Sequence, residues 1–244
     1  MRVGLFIPCY IDQFYPGAGI ATLQLLEKLG VEVCYPPNQT CCGQPMANSG
    51  FGHLTTGCNT LFIENFSEYD YIVSPSGSCV LHIREHLHDH DREAEAKEVA
   101  HKTWELTSFL TDVLKVTSLP AKFPHKVGVH HSCHGQRGLM LSQMSELVAP
   151  GFSKPGSLLQ MVEGIEIVSL SRKDECCGFG GTFCVAEEAI SAKMGQDRVE
   201  DHTTHGAEYI TSADMSCLMH MEGILRRQNS HVKVLHIAEI LNSN

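Results

Sequence analysis

Cys-Cys-Gly occurs twice in this chain of 244 residues. Around each copy the cysteines keep one order: Cys9, Cys41-Cys42-Gly43 and Cys79, then Cys133, Cys176-Cys177-Gly178 and Cys217. This arrangement uses eight of the eleven cysteines. Thiolate sulfur is the soft donor that iron prefers, and four thiolates complete a [4Fe–4S] cluster. Two matched sets of four read as two metal sites, iron–sulfur clusters before any other occupant. Disulfides fit poorly. Neighbouring Cα atoms lie about 3.8 Å apart across a trans peptide, below the usual disulfide range of about 4.4–6.8 Å. A Cys-Cys pair would be a strained disulfide, but it delivers two thiolates to one polynuclear cluster.

Each motif has a plainer alternative. Eight buried structural thiols would also use cysteine as a small core residue, but duplication of the whole order weakens that reading. Zinc accepts four thiolates, so it stands as an alternative occupant of one site, although neither half has an intact CxxC knuckle. Cys34 and Cys58 lie outside the repeat and read as core, and Cys184 as a spectator. His82 and His86 are spaced i, i+4 among charged residues, which reads as a solvated helix face. His130, His131 and His134 flank Cys133 and read either as donors or proton carriers behind the thiolates, or as strand-end histidines with satisfied hydrogen bonds. Gly43 and Gly178 let the backbone approach an inorganic core without a Cβ clash. Gly17-Ala18-Gly19 lacks a third glycine and reads as a turn, not a dinucleotide loop.

The elements that must carry these cysteines repeat as well. In the first half, Val3 to Ile7 reads as a strand, Gly17 to Leu29 as a helix, Val31 to Tyr35 and Tyr71 to Ser74 as strands. Leu54, Cys58, Leu61, Phe62 and Phe66 fall on one helical face between them. In the second half the order is a strand at Lys126 to His130, a helix near Leu139 to Met144, a strand at Glu166 to Leu170, a helix near Glu187 to Val199 and a strand at Tyr209 to Thr211. Val232 to Leu235 reads as a last strand before a short helix, Ile237 to Leu241, which Leu106 to Leu114 resembles in the first half. Residues 82 to 105 read as an exposed helix. Strands alternating with helices predict an α/β fold: two homologous Rossmann-like halves, 1–120 and 121–244, with parallel strands and metal sites in loops at the strand C-termini.

Composition narrows the function. A formal charge of −10 and a pI near 5.8 argue against a nucleic-acid partner, whose phosphates need a basic surface. No apolar run approaches the roughly 18 residues of a membrane span, and the short stretch after Arg2 is no export signal, so a reducing cytoplasmic setting is expected.

Cys41-Cys42-Gly43-Gln44-Pro45, Ser76-Gly77-Ser78-Cys79, Cys176-Cys177-Gly178-Phe179-Gly180-Gly181-Thr182-Phe183, Ala213-Asp214-Met215-Ser216-Cys217 and His236-Ile237-Ala238-Glu239 resemble the cysteine-rich CCG domain family. That family includes the cysteine-rich subunit of heterodisulfide reductase and the iron–sulfur subunit of glycolate oxidase. Within it, the chain is most similar to the lactate utilization protein A family, over nearly its whole length. The resemblance implies an iron–sulfur electron-transfer subunit of a cytoplasmic complex oxidising L-lactate, or a related 2-hydroxy acid such as glycolate, to the oxo acid. It implies partners that include a ferredoxin-type iron–sulfur subunit. It carries Cys9, Cys41, Cys42, Cys79, Cys133, Cys176, Cys177 and Cys217 over as ligands of one or two [4Fe–4S] clusters. The alternatives are a zinc-stabilised scaffold in the same complex and a thiol–disulfide redox protein of the heterodisulfide reductase type. The broader family pattern ends in CxxC. Here Ser76 and Asp214 take the first of those positions, which leaves four thiols per set and gives Asp214 two readings, an oxygen ligand or a helix cap. No flavin or nicotinamide site is recognisable, so the isolated chain is expected to be a non-autonomous subunit.

Overall fold

A computed structural model describes residues 1–243. The first half runs β1 (Arg2–Leu5), α1 (Cys9–Phe14), α2 (Pro16–Lys28), β2 (Glu32–Cys34), α3 (Gln44–Asn48), α4 (Thr56–Phe66), β3 (Tyr71–Ser74), α5 (Gly77–His86), α6 (Glu93–His101), β4 (Thr103–Glu105) and α7 (Leu106–Ser108). The second runs β5 (Lys126–Val129), α8 (Lys154–Leu159), β6 (Glu166–Ile167), α9 (Phe183–Ala186), α10 (Glu188–Thr204), β7 (Tyr209–Ser212), α11 (Met215–Arg227), β8 (Lys233–His236) and α12 (Ile237–Leu241).

The strands form two four-stranded sheets, ordered β2-β1-β3-β4 and β6-β5-β7-β8, and every pairing is parallel. Parallel strands covered by helices on both faces must be apolar nearly throughout. The central strands comply: Val3 and Leu5 of β1, Val127 and Val129 of β5 and Ile210 of β7 are buried. Register repeats too, with Val3 opposite Tyr71 in one sheet and Val127 opposite Tyr209 in the other. The fold is α/β with two Rossmann-like halves.

One apolar core runs through both sheets, from Val3, Leu25 and Phe109 to Val127, Leu158, Met221 and Ile237. Its continuity comes from reciprocal packing: α12 rests on α2 of the first half, and α7 rests on α8 of the second. Tyr15 adds a polar tie, its hydroxyl donating to Glu222 at 2.6 Å. A smaller cluster around Phe6, Phe62, Ile63 and Ile72 lies on the other face of the first sheet.

Several local expectations change. Gly17-Ala18-Gly19 is not a turn; it lies in the first turn of α2, where Pro16 fixes the opening φ and lacks only an N–H that no helix would use. The helix expected at 139–144 is replaced by a single π turn at His134–Gly138, because Met140 takes a left-handed φ of 52° that no helix tolerates. Residues 82–105 hold the end of α5, a loop, α6 and strand β4 instead of one exposed helix. On α4 the buried residues are Asn59, Phe62, Ile63 and Phe66, while Leu54 precedes the helix and is exposed.

Candidate metal centres

Each cysteine is placed by an element the sequence repeats. Cys9 opens α1 directly after β1, Cys41 and Cys42 sit between β2 and α3, and Cys79 lies in the first turn of α5. Cys133 leads into the His134–Gly138 turn after β5, Cys176 and Cys177 precede α9, and Cys217 lies in the first turn of α11. The thiols meet in a row. Cys9 Sγ lies 3.8 Å from Cys41 Sγ, Cys41 neighbours Cys42, and Cys42 Sγ lies 3.2 Å from Cys79 Sγ. The second row runs Cys133–Cys176–Cys177–Cys217 by the same contacts. Both rows line one cleft between the halves, with a cavity of about 120 Å³.

The loop glycines fix the doublets. Gly43 has φ 88° and Gly178 φ 84°, both left-handed, and their N–H groups donate to Cys41 Sγ and Cys176 Sγ at 3.4 Å. Cys41 is held well below the ordinary thiol pKa because it accepts from Cys42, then Cys9, then the Gly43 N–H. Cys176 is lowered by Cys133, then Cys177, then Gly178 N–H. Their donors move the other way: Cys9 is raised by its bond to Cys41 and Cys133 by its bond to Cys176.

The two rows are joined at their last helices. Ser76 and Asp214 form an antiparallel bridge, and Gly77 N–H donates to Ala213 O at 3.1 Å. Asp214 Oδ2 accepts from Ser78 N–H at 2.7 Å, and Oδ1 accepts from Ser216 N–H at 3.3 Å and Ser216 Oγ at 2.7 Å. Both carboxylate oxygens are taken, so Asp214 acts as the cap of α11. Ser76 caps α5 in the same way, its Oγ accepting from Cys79 N–H.

The remaining candidates separate. His82 is buried, not solvated: α5 turns it inward toward Gly43, and burial lowers its pKa to about 4. His130 is fully buried, with a ring nitrogen within 4.8 Å of the Cys177 and Cys217 sulfurs. His134 lines the cleft, and His131 lies behind it. Cys34 and Cys58 are half-buried and outside the cleft, and Cys184 bonds Gly181 O at 3.0 Å. Sequence reasoning missed Tyr10 and Phe179, which meet edge to face over the cleft with centroids 6.0 Å apart. Their positions beside Cys9 and Cys177 were the available signal.

The cysteine-rich domain family, CCG, matches twice, at residues 3–84 and 127–222. The chain belongs to this family. Its relatives include lactate utilization protein A of Geobacillus sp. (strain WCH70), 42% identical over 100% of both chains. Lactate utilization protein A of Bacillus subtilis (strain 168) is 43% identical, again over 100% of each. Among solved structures, a hypothetical protein from Helicobacter pylori superposes with a TM-score of 0.61 at 12% identity, over 98% of this chain and 48% of that one. That likeness concerns the fold alone. Among the described residues no helix is long and apolar enough to cross a membrane.

Proposed function

We propose that this CCG-family chain is an iron–sulfur electron-transfer subunit of a lactate-oxidising system, with Cys9, Cys41, Cys42 and Cys79 holding one [4Fe–4S] cluster and Cys133, Cys176, Cys177 and Cys217 a second. The observation that carries this is the convergence of two matched four-thiol sets, each from loops distant in sequence, on one cleft. A tetrahedral zinc ion with bonds of about 2.3 Å needs all four sulfurs mutually about 3.8 Å apart. Here neighbours along each row are close, yet among the described residues no set of four donors lies mutually within 4.8 Å. A polynuclear core takes one thiolate per iron and spreads its four sulfurs wider than a single ion does, so the close contacts of each set open on binding while its reach from Cys9 to Cys79 already exceeds a single-ion site. Four ionised thiolates in a half-buried set repel one another unless protons or a metal core neutralise them, so each set calls for a cationic occupant. When bound, such clusters supply one-electron transfer. The chain's residues hold the thiolates, orient the doublets through Gly43 and Gly178, and cover the cleft with Tyr10 and Phe179.

The substrate assignment comes from the relatives named lactate utilization protein A. Other subunits of such a system, including a ferredoxin-type iron–sulfur protein, would supply the dehydrogenation. Anaerobic purification with iron, sulfide and spin-resonance measurement tests the reading. Iron with matching labile sulfide supports it, and a colourless, iron-free chain that is fully active in its complex overturns it.

Zinc at the second set is the rival that one observation favours: His130, Cys177 and Cys217 do form a three-donor group. Against it, Arg198 already donates to His130 Nδ1 at 3.2 Å. Ligation through Nε2 would then require an imidazolate. Stoichiometric zinc without sulfide would decide for the rival, a metal-stabilised scaffold.

A further inference from the structure

The two thiol rows share a plan but not a back wall. Behind the first, Phe6 follows β1 and meets Phe62 and Phe66 of α4, with centroids 5.0 Å and 5.8 Å away and 4.7 Å between the latter pair. These rings lie in the same buried apolar cluster as Cys42 and Cys79. Phe66 packs beneath Gly4, where an added Cβ would stand 2.8 Å from its ring. The matching places in the second half hold His130, Arg198 and His202. His130 follows β5 as Phe6 follows β1. Arg198 and His202 are spaced i, i+4 on α10, as Phe62 and Phe66 are on α4. His202 packs beneath Gly128, where a Cβ would stand 2.1 Å from its Nδ1. Three phenylalanines in one half are replaced by His–Arg–His in the other.

The polar trio is wired in one direction. Arg198 is fully buried and pairs through Nη1 with Asp201 Oδ2 at 3.1 Å. Its Nε–H donates to His130 Nδ1 at 3.2 Å. A guanidinium has donors and no acceptor, so Nδ1 is the lone-pair nitrogen and the proton of the neutral ring sits on Nε2. That Nε2–H is buried and has no partner among the described residues. Arg198 Nη2 and both His202 nitrogens are likewise buried without partners there. Such groups cost stability, and the first half fills the same space with hydrocarbon, so the fold does not require them.

We propose that His130 is a positioning residue whose unpaired Nε2–H donates to sulfur of a cluster held by the second set, on its Cys177 and Cys217 side, and makes the two sets electronically unequal. This rests on the iron–sulfur reading above. Hydrogen bonds to cluster sulfur favour the more reduced, more negative state and raise the reduction potential. The phenyl wall behind Cys42 and Cys79 offers no donor. The second centre therefore titrates above the first, and an electron shared between the sets resides on the second.

The test uses the full chain, purified anaerobically and assayed for iron and sulfide, then titrated with dithionite while spin resonance reads each centre. Two separated midpoints are expected. His130→Phe lowers the upper midpoint toward the lower one and leaves the lower unmoved, whereas His130→Gln, which keeps an amide N–H, holds it near the wild-type value. Because phenylalanine alone strands the buried guanidinium, a triple variant with His130→Phe, Arg198→Phe and His202→Phe rebuilds the first-half wall, and it should bring the two midpoints together. One common midpoint in the wild-type protein overturns the inference and leaves the iron–sulfur reading intact, as do iron-loaded variants whose midpoints stay put. A wild-type chain without iron or sulfide overturns that reading, and the inference with it.

Discussion

Ser76 and Asp214 pair as an antiparallel bridge where the two halves meet, and each caps the helix whose first turn carries the last cysteine of its row. Asp214 reaches further, accepting from Ser78 N–H on the opposite side at 2.7 Å. The orientation of Cys79 and of Cys217 is therefore set by one joint contact. Serine and aspartate are both good helix caps, and both Asp214 oxygens are engaged in these hydrogen bonds.

Asp214→Ala should remove the α11 cap and leave the Ser78 N–H buried without an acceptor. Loss of a cap plus an unmet donor costs about 1–3 kcal/mol. A lower urea midpoint together with reduced iron in both sets is expected, since both helix starts are released. Loss of iron from the second set alone would show that the bridge does not couple them.

Gly178→Ala should harm more than Gly43→Ala. Both positions are left-handed, which costs a side chain about 1–2 kcal/mol. At Gly178 a Cβ would also meet Met194 Cβ and Ser191 O at 2.7 Å, one of them backbone, whereas at Gly43 it meets the Thr55 side chain at 3.1 Å. Chemical denaturation of the two variants should rank them in that order, with Gly178→Ala losing its doublet geometry and its metal first.

Cys42→Ser and Cys177→Ser should each empty one set and spare the other. Serine oxygen is a poor replacement for thiolate at iron. Roughly half the iron should remain in each single variant if each row holds a cluster of its own. Complete loss of iron from either variant would show that the two rows serve one shared centre.

Glu105 and His236 occupy matching caps, ahead of α7 and α12, and they titrate in opposite senses. Burial pushes Glu105 up to about 7 from its ordinary 4.5, against hydrogen bonds from Thr107 and Ser108. Its folded state favours the protonated acid, so its contribution is complete below pH 4.5 and is lost as pH rises toward about 7. Burial lowers His236 to about 4, so its contribution is complete above pH 6.5 and is lost as pH falls toward about 4. Each swing is on the order of 3 kcal/mol. Unfolding free energies measured across this range should lose the rising-pH slope in Glu105→Gln and the falling-pH slope in His236→Asn, the latter keeping a capping acceptor.

The sequence displayed the thiol order and the central strands for a physical reason. Strands buried on both faces tend to be apolar runs, and Tyr71 to Ser74 is visible as such, while Tyr209 to Thr211 is visible through its match to that strand in the repeat. Strand β4 was hidden because its buried residues Thr103 and Glu105 are polar, satisfied locally by Val99 O and by the N–H groups of Thr107 and Ser108. His82 misled because Arg84 and Glu85 beside it face outward while the helix turns His82 in. Phe6 and His130 align in the primary repeat, but the match of Phe62 and Phe66 with Arg198 and His202 does not. Helix α4 has 11 residues and α10 has 17, so their register emerges only from what each packs beneath.

The reciprocal seating of α12 on α2 and of α7 on α8 is the contact that a twofold pair of identical subunits would make twice. Here it is made within one polypeptide. Two identical subunits are bound to carry the same residue on both sides of their axis, whatever either side would gain from a change. Covalent fusion lifts that obligation: the two rims keep a fixed one-to-one ratio while His130 and Phe6 stand at the same address. A symmetric pair would have two matched rims only, and the single polypeptide is what lets them differ.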